Sequence, residues 1–364
     1  MKFKIKNHLN YILIGLVLII TFIMNSIGAL NRLDRSTLVR ISFSIILAVS
    51  LNLVVGFLGE LSLGHAGFMC VGAYLGGYCV NVFSEFIDST LIVYIISIMI
   101  GGLISAFFGL IIGIPALRLK GDYLAIATLA FGEIVRNIFK NIKLFGASQG
   151  LETKIYPEKE FFIVTLATVI VVLILCQNLI RSKHGRAVTA IRDNEIAAKS
   201  MGINVTFYKL FIFIVAAFFA GVAGVIYSQC IGQVKQDAFS YNYSIEILVM
   251  VVLGGMGSIN GSIIAATIIT YVNILLQNEL SGPVASFKLI VYALILIFAI
   301  LFNNAPAFSK LKAKFSSIGK KKQTSTKDDE ADWNRIETKI KMDEVLSYDL
   351  QNDNADDSNL KEDN

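Results

Sequence analysis

The chain has 364 residues, 55% hydrophobic and 16% charged, with a mean hydropathy of +0.67 and a formal net charge of +5. That is too apolar for a soluble globule, and several runs reach the roughly 18–20 apolar residues that a spanning helix requires. The positive charge gathers in connecting segments and near the ends, as membrane orientation signals do, so nucleic-acid binding is set aside.

The four cysteines (Cys70, Cys79, Cys176, Cys230) lie in apolar segments without CxxC spacing, and the three histidines are far apart. Neither a disulfide framework nor a metal site is expected. The sequence has no G-x-x-x-x-G-K-[ST] phosphate loop and no G-x-S-x-G elbow. The chain is therefore not read as an enzyme and is expected to bind no cofactor itself. If ATP drives it, a separate chain hydrolyses the ATP.

In chain order, Lys2, Lys4 and Lys6 precede an apolar run, Tyr11 to Leu30, of about twenty residues. That is longer than the roughly 7–15 residues of a signal-peptide core, so it reads as a retained first span starting in the cytoplasm. A second span covers Ile41 to Leu58. It runs into VGFLGELSLGHAGFMCVGAYLGGY, Val55 to Tyr78, whose seven glycines let backbones approach closely. Glu60, Ser62 and His65 lie in or beside this run, and polar groups at that depth should face protein or water. They are candidates for a translocation path, with interhelical hydrogen bonding as the alternative for His65.

Leu91 to Ile114 is a span with Gly101, Ser105, Gly109 and Gly113 every four residues, a helix face suited to packing. PALRLKGDYLAIATLAFGEIVRNI, Pro115 to Ile138, follows. Asp122 is placed to cap a helix, and Glu133 and Arg136 are three apart on one face. Glu133 is either a path carboxylate or half of a structural ion pair. After a polar connection, Asn141 to Glu160, the span Phe161 to Ile180 leads to SKHGRAVTAIRDNEIAAKSMGI, Ser182 to Ile203. This strongly polar segment reads as one helix, capped by Ser182 and ended by Gly202. Ala187, Ala190, Ile191, Ala197, Ala198 and Met201 give it contact positions, so it suits either docking on another protein or a solvated connector.

Leu210 to Cys230 spans again, with a second small-residue seam at Ala216, Ala220, Gly224 and Ser228. In SIEILVMVVLGGMGSINGSIIAA, Ser244 to Ala266, the residues Gly254, Gly255, Gly257 and Gly261 break one overlong apolar run into two helices. Such breaks in transporters mark irregular backbone beside a cavity. Ala285 to Phe302 is the last span. Counting Tyr123–Ile138 as a span, and Ile245–Leu253 and Ser258–Leu276 separately, the count is ten, or eight if the two short ones do not cross, with both termini in the cytoplasm. Arg32, Arg35 and Arg40 fall on the outer side, against the charge rule. From Lys310 the chain is charged. Asp332 to Leu350 has an amphipathic pattern through Trp333, Ile336 and Ile340, but the tail as a whole reads as disordered.

The wording EIAAKSMG, Glu195 to Gly202, resembles the cytoplasmic "EAA…G" loop of ABC-importer permeases. HGRAVTAIRDNEIAAKSMGINVTFYKL and the three other blocks quoted resemble the LivM type of branched-chain amino-acid ABC transporter permease, over roughly residues 50 to 265. LFGASQGL and Asn303-Asn304-Ala305-Pro306 depart from that family's pattern. The resemblance implies an all-α polytopic bundle of about 8–10 spans with a cytoplasmic coupling helix. The permease domain would cover 1–306 with its coupling loop at 181–209, and the tail 307–364. It implies coupling residues Gly185, Arg186, Arg192, Glu195, Ala197, Ala198 and Gly202. The translocation path would hold Glu60, Ser62, His65, Glu133, Gly254, Gly255 and Gly257. It further implies the bacterial cytoplasmic membrane, a second related permease subunit, two ATP-binding cassette subunits that use the ATP, and an extracytoplasmic binding protein. Alternatives are a relative for urea, short amides or sugars, or an ion-coupled secondary transporter.

Overall fold

The computed structural model describes residues 31–119, 121–153 and 158–279. The expected first span, last span and charged tail, with its Asp332–Leu350 helix and the 306/307 boundary, lie outside them. Among the described residues six helices are long and apolar enough to cross a membrane. The first is α1 (Arg32–Asn52), which runs on through Leu53–Leu58 with wider π-type winding. The second joins α2 (His65–Val71) to α3 (Gly77–Phe86) through a π-type turn at Gly72–Gly76. The others are α4 (Thr90–Ala116), α6 (Glu158–Arg181), α9 (Val205–Ile231) and α11 (Ile259–Glu279).

Two expected spans are of another kind. The 20-residue helix α5 (Asp122–Asn141) carries Asp122, Glu133, Arg136 and Lys140. Gly121 occupies its N-cap position, so Asp122 opens the helix where the sequence pointed to a cap. α10 (Tyr241–Gly254) has 14 residues, about 21 Å of helix, too short for a hydrocarbon core about 30 Å thick. The polar loop between α6 and α9 holds α7 (Lys183–Asp193) and α8 (Glu195–Ser200). At the other end of the bundle β1 (Leu151–Glu152) pairs antiparallel with β2 (Gln233–Val234).

α4 shows why this chain belongs in lipid. Its inward face is Ser97, Gly101, Ser105, Gly109 and Gly113, all buried. Its outward face is Ile95, Met99, Leu103, Phe107, Ile111 and Ile114, each about half exposed or more. A soluble helix has the reverse arrangement, because water drives large apolar groups inward. Here small residues face in so that backbones can approach, and large ones face out to lipid. The protein is an integral membrane protein.

The α4 seam packs against Ala217 and Gly221 of α9, beside the expected second seam, whose Gly224 instead faces α2 and the π-type turn that follows it. A Cβ on Gly109 would lie 2.6 Å from the Ala217 Cβ, and one on Gly221 would overlap the Ser105 hydroxyl. Gly72 abuts the Gly221 backbone, and Gly224 abuts Met69 and Ala73. Interlocked backbones place α9 at the centre of the bundle, with most of its residues buried.

α1 and α9 run antiparallel. Lys209, near the start of α9, reaches Glu60 just past the π-type end of α1. At the other end the rings of Phe43 and Tyr227 lie 5.5 Å apart. After each of these helices the chain enters the bundle outside α-helix, the second time through β2 and a 3-10 turn at Gln236–Phe239, then starts an α-helix inside it: α2 at His65 and α10 at Tyr241. The two starts touch, through Ala66 N–H donating to the Ser244 hydroxyl at 3.1 Å. The halves thus repeat one motif in opposite senses, an arrangement common in transporters.

Gly109→Leu should destabilise the full-length protein in detergent by about 1–3 kcal/mol or more, because the seam has no room for the side chain. Leu103→Ala on the opposite face should stay within about 0.5 kcal/mol. Thermal unfolding followed with a thiol-reactive dye checks this, since Cys70 and Cys176 are buried free thiols. Equal unfolding temperatures for wild type and Gly109→Leu would refute the contact.

Candidate functional site: the polar loop and its anchor

The loop that the sequence marked as one helix is two. Ser182 has extended backbone and its hydroxyl accepts the Gly185 N–H at 3.3 Å, which starts α7. Gly185 lies against the Ile180 carbonyl, with no room for a Cβ. α7 buries Gly185, Val188 and Ile191 and stops at Asn194, whose backbone is extended (φ −159°). The Asn194 side chain then accepts the Ala197 N–H at 3.0 Å and caps α8. The break corrects the single-helix expectation, and its cause is that Asn194 supplies a new cap in mid-segment.

α8 ends as the sequence indicated. Ile203 N–H donates to Ala198 O and Gly202 N–H to Lys199 O, both at 3.1 Å, with Gly202 at φ +82°. This is a Schellman closure, which needs the left-handed conformation that glycine adopts without cost. Of the expected contact positions, Ile191 and Ala198 face the bundle, Ala187 and Ala190 are half-buried, and Ala197 and Met201 are exposed. Ile196 and Met201 are 80% and 83% exposed. Arg186 is exposed on α7.

The loop is fastened to the bundle at two points. Lys209 Nζ donates to Glu60 Oε1 at 2.6 Å and to Glu195 Oε2 at 3.0 Å. The lysine and Glu60 side chains are 8% and 14% exposed, whereas Glu195 is 41% exposed. Glu60 reaches this position because Gly59 turns the chain with φ +82° after the π-type end of α1. Arg192 Nη1 donates to Gly56 O at 3.0 Å, and its other nitrogens hold Asp193.

The glycine break between α10 and α11 joins this cluster. Gly257 N–H donates to Asn52 Oδ1 at 2.9 Å, and Asn52 Nδ2 donates to Ser258 O at 3.1 Å and Ser262 Oγ at 2.9 Å. A Cβ on Gly56 would overlap Gly257 N, and one on Gly254 would overlap Gly261. Gly254 therefore lets α10 and α11 touch, while Gly255 and Gly257 turn the chain with φ +89° and +80°. These glycines and Glu60 sit beside Arg192 and Glu195, two of the residues expected for coupling, at one end of the bundle.

Ser62, His65 and Glu133 lie elsewhere, around the touching helix starts. Ser62 and His65 are each 2% exposed, and His65 Nε2 is 2.7 Å from the Ser50 hydroxyl. Glu133 pairs with Arg136 at 3.2 Å, and its other oxygen accepts the Tyr241 N–H at 3.1 Å. That carboxylate satisfies an orphan donor at the positive end of α10. Sequence reasoning missed Lys209 and Asn52. The signal for Lys209 was a lone lysine in TFYKLFIFIVAAFF, a cation that an apolar helix must pair with something.

Lys209→Met leaves Glu60 buried without its cation, and should cost about 3 kcal/mol in thermal unfolding. Adding Glu60→Gln should recover part of that loss, because the remaining partner is then neutral. Additive losses in the double variant would mean that the two side chains are uncoupled.

A family model described as the permease component of branched-chain amino acid transport systems matches residues 35–300. The high-affinity branched-chain amino acid transport system permease protein LivM of Salmonella typhimurium is 34% identical over 258 residues, 62% of this chain and 59% of that protein. Its namesake from Escherichia coli is 34% identical over 272 residues, 66% and 62% of the two chains. The ribose import permease protein RbsC of Haemophilus influenzae is 31% identical over 133 residues, 35% of this chain and 40% of that one. The chain thus spans about six tenths of the length of the two LivM relatives. With the family match running from α1 past the end of α11, the chain belongs to the permease components of branched-chain amino acid transport systems.

Proposed function

We propose that this chain is the membrane subunit of an ATP-driven importer that carries leucine, isoleucine and valine across the bacterial cytoplasmic membrane by alternating access. Its partners are a second permease subunit of related type, two ATP-binding cassette subunits and an extracytoplasmic binding protein. The nucleotide belongs to the cassette subunits, and this chain performs no covalent chemistry. α7 and α8 face the cytoplasm, as do both termini.

The observation that carries this reading is the double character of α8. Ile196 and Met201 stand exposed on a polar loop, where large apolar groups mark a protein contact. On the same six-residue helix Glu195 is bonded to Lys209, which holds Glu60. A partner that moves α8 therefore pulls on α9 and on the end of α1. Two packed arrangements of those helices, one favoured by each nucleotide state, are what alternating access needs. The substrate class follows the LivM relatives, which match far more of the chain than the ribose-named one does. An ion-coupled carrier would need accessible carboxylates, yet Glu60 is engaged by Lys209 and Glu133 by Arg136.

Gly202→Val tests the coupling. A Cβ there meets no atom within 4 Å, so the change acts only through backbone strain of about 1–2 kcal/mol. The complex should still assemble, while leucine uptake falls or ATP hydrolysis loses its dependence on substrate. A cysteine at the exposed Ala197 should crosslink to a cassette subunit. Leucine uptake that ignores ATP depletion but follows the proton gradient would overturn the reading.

A further inference from the structure

α6 ends and α9 starts at one corner of the bundle, and the corner is lined by rings. α9 has 27 residues, about 40 Å of helix against a hydrocarbon core of about 30 Å, so it reaches into the headgroup layer. Its first two turns carry Phe207, Tyr208 and Phe211. Phe207 and Phe211 stack with centroids 6.2 Å apart and 7° between their planes, and Tyr208 meets Phe207 edge-on at 5.5 Å. His184, in the first turn of α7, closes the cluster at 5.9 Å from Tyr208 and 6.0 Å from Phe211. Phe207 is 56% exposed. A tyrosine among apolar rings at a helix end marks the boundary between headgroups and hydrocarbon.

The polar side of this corner is positive. Lys183 and His184 are exposed, and Arg186 lies three residues after Lys183, on the same side of α7. Arg186 Nη1 donates to Arg181 O at 3.3 Å, so its guanidinium turns back towards the last turn of α6 and the membrane. Among the described residues no ion pair includes Lys183, His184 or Arg186, and the first turn of α7 has no acidic residue. Cations at a helix start oppose the macrodipole, because the partial positive charge of the free N–H groups lies there already. Arg192 and Lys209 differ, since carboxylates of Asp193, Glu60 and Glu195 hold them. The charge at the start of α7 has no such partner and calls for an anion from outside the chain.

We propose that this corner binds the headgroup of one anionic phospholipid, with the phosphate on Lys183 and Arg186 and the acyl chains against Phe207 and Phe211. A lipid fits because the surface is positive on one side and apolar on the other. The apolar side continues on α4, which packs Gly113 against Leu210 and Phe213 of α9 and shows Ile111 and Ile114 outward, 49% and 50% exposed. A nucleic acid or an acidic protein would use the cations but leave the exposed rings in water. A zwitterionic headgroup brings a cation of its own to a surface already short of anions, so the net charge of the lipid decides the match. α7 runs from this corner to Asn194 and α8, so a bound headgroup holds the start of the segment whose far part Lys209 anchors through Glu195. The site needs only that the bundle lies in a bilayer and is independent of what the protein carries.

The test uses the full-length protein in a neutral detergent and follows thermal unfolding with added dioleoyl phosphatidylglycerol, dioleoyl phosphatidylcholine or glycerol 3-phosphate. The readout is the phosphatidylglycerol midpoint minus the phosphatidylcholine midpoint within each variant, so a stability change from the substitution itself cancels. Wild type should show a positive difference, and glycerol 3-phosphate, which has the phosphate without the chains, should not reproduce it. In a titration with phosphatidylglycerol, Lys183→Gln and Arg186→Gln should each weaken binding by about fivefold. Lys183→Arg keeps the charge and should restore it. Lys199→Gln removes a cation from the exposed side of α8, away from the rings, and should leave binding unchanged. Equal loss in Lys199→Gln would reveal a diffuse attraction of the whole loop and overturn the site. So would equal stabilisation of the wild type by the two lipids, or the full effect from glycerol 3-phosphate.

Discussion

Two stretches outside α-helix run into the bundle, Gly59 to Gly64 and Gly232 to Ser240 (the second with a 3-10 turn at Gln236–Phe239), and the hydrogen bonds they leave open have to be met by other parts of the protein. In lipid no water is at hand, so each buried N–H and C=O left by a broken helix needs a protein partner. The first stretch is answered by Thr128, whose hydroxyl accepts the Leu63 N–H, and by Ser244, which accepts Ala66 N–H. The second is answered by Glu133 at Tyr241 and by Thr153, which bonds Gly232 O through both its N–H and its hydroxyl. Side chains of α5, of α10 and of the β1 connection are thereby committed to the breaks. Once they are committed, the relative positions of α1, α2, α5, α9 and α10 follow.

The small-residue seams serve the same end. Hydroxyl and carboxylate partners reach a broken backbone only if the helices that carry them lie close. Gly64 and Gly67 pack against Thr128 and Gly132, which sets α5 beside the first break. Farther along the same pair of helices, Tyr74 stacks on Phe139 with ring centroids 4.7 Å apart. A larger residue at Gly67 or Gly132 would move α5 away and leave the Leu63 N–H buried without an acceptor. Unmet backbone groups in hydrocarbon cost several kcal/mol each. Close packing and polar satisfaction are thus one requirement here, and glycine is the residue type that meets both.

Much of this was legible in the sequence because it is local. The four-residue spacing of Gly101, Ser105, Gly109 and Gly113 is a helical period, and it named the packing face of α4. Ser182 carried its capping chemistry in its hydroxyl and Gly202 in its lack of a side chain, which frees it for a left-handed backbone, and the Glu133–Arg136 pair lay within one turn. The anchor of the polar loop was not legible. Lys209 and Glu60 are 149 positions apart, and nothing in either neighbourhood specifies the other. Asn194 was hidden differently. It stands between helix-forming runs, and only its competition between continuing one helix and capping the next produces the break.

α1 and α9 connect the two ends of this structure. Near the polar loop they end in Gly56, Glu60 and Lys209, the groups that Arg192 and Glu195 hold. At the far end the same two helices bring the rings of Phe43 and Tyr227 together. Between those ends α9 is packed through glycine contacts that leave no room for a Cβ. The junction of α10 and α11 is held to the same point by Asn52, through Gly257 N–H, Ser258 O and the Ser262 hydroxyl. One cluster beside the loop therefore fastens the ends of α1, α9, α10 and α11. Because its members are backbone groups and side chains held at hydrogen-bond distance, none of these four ends can shift without breaking a bond to another.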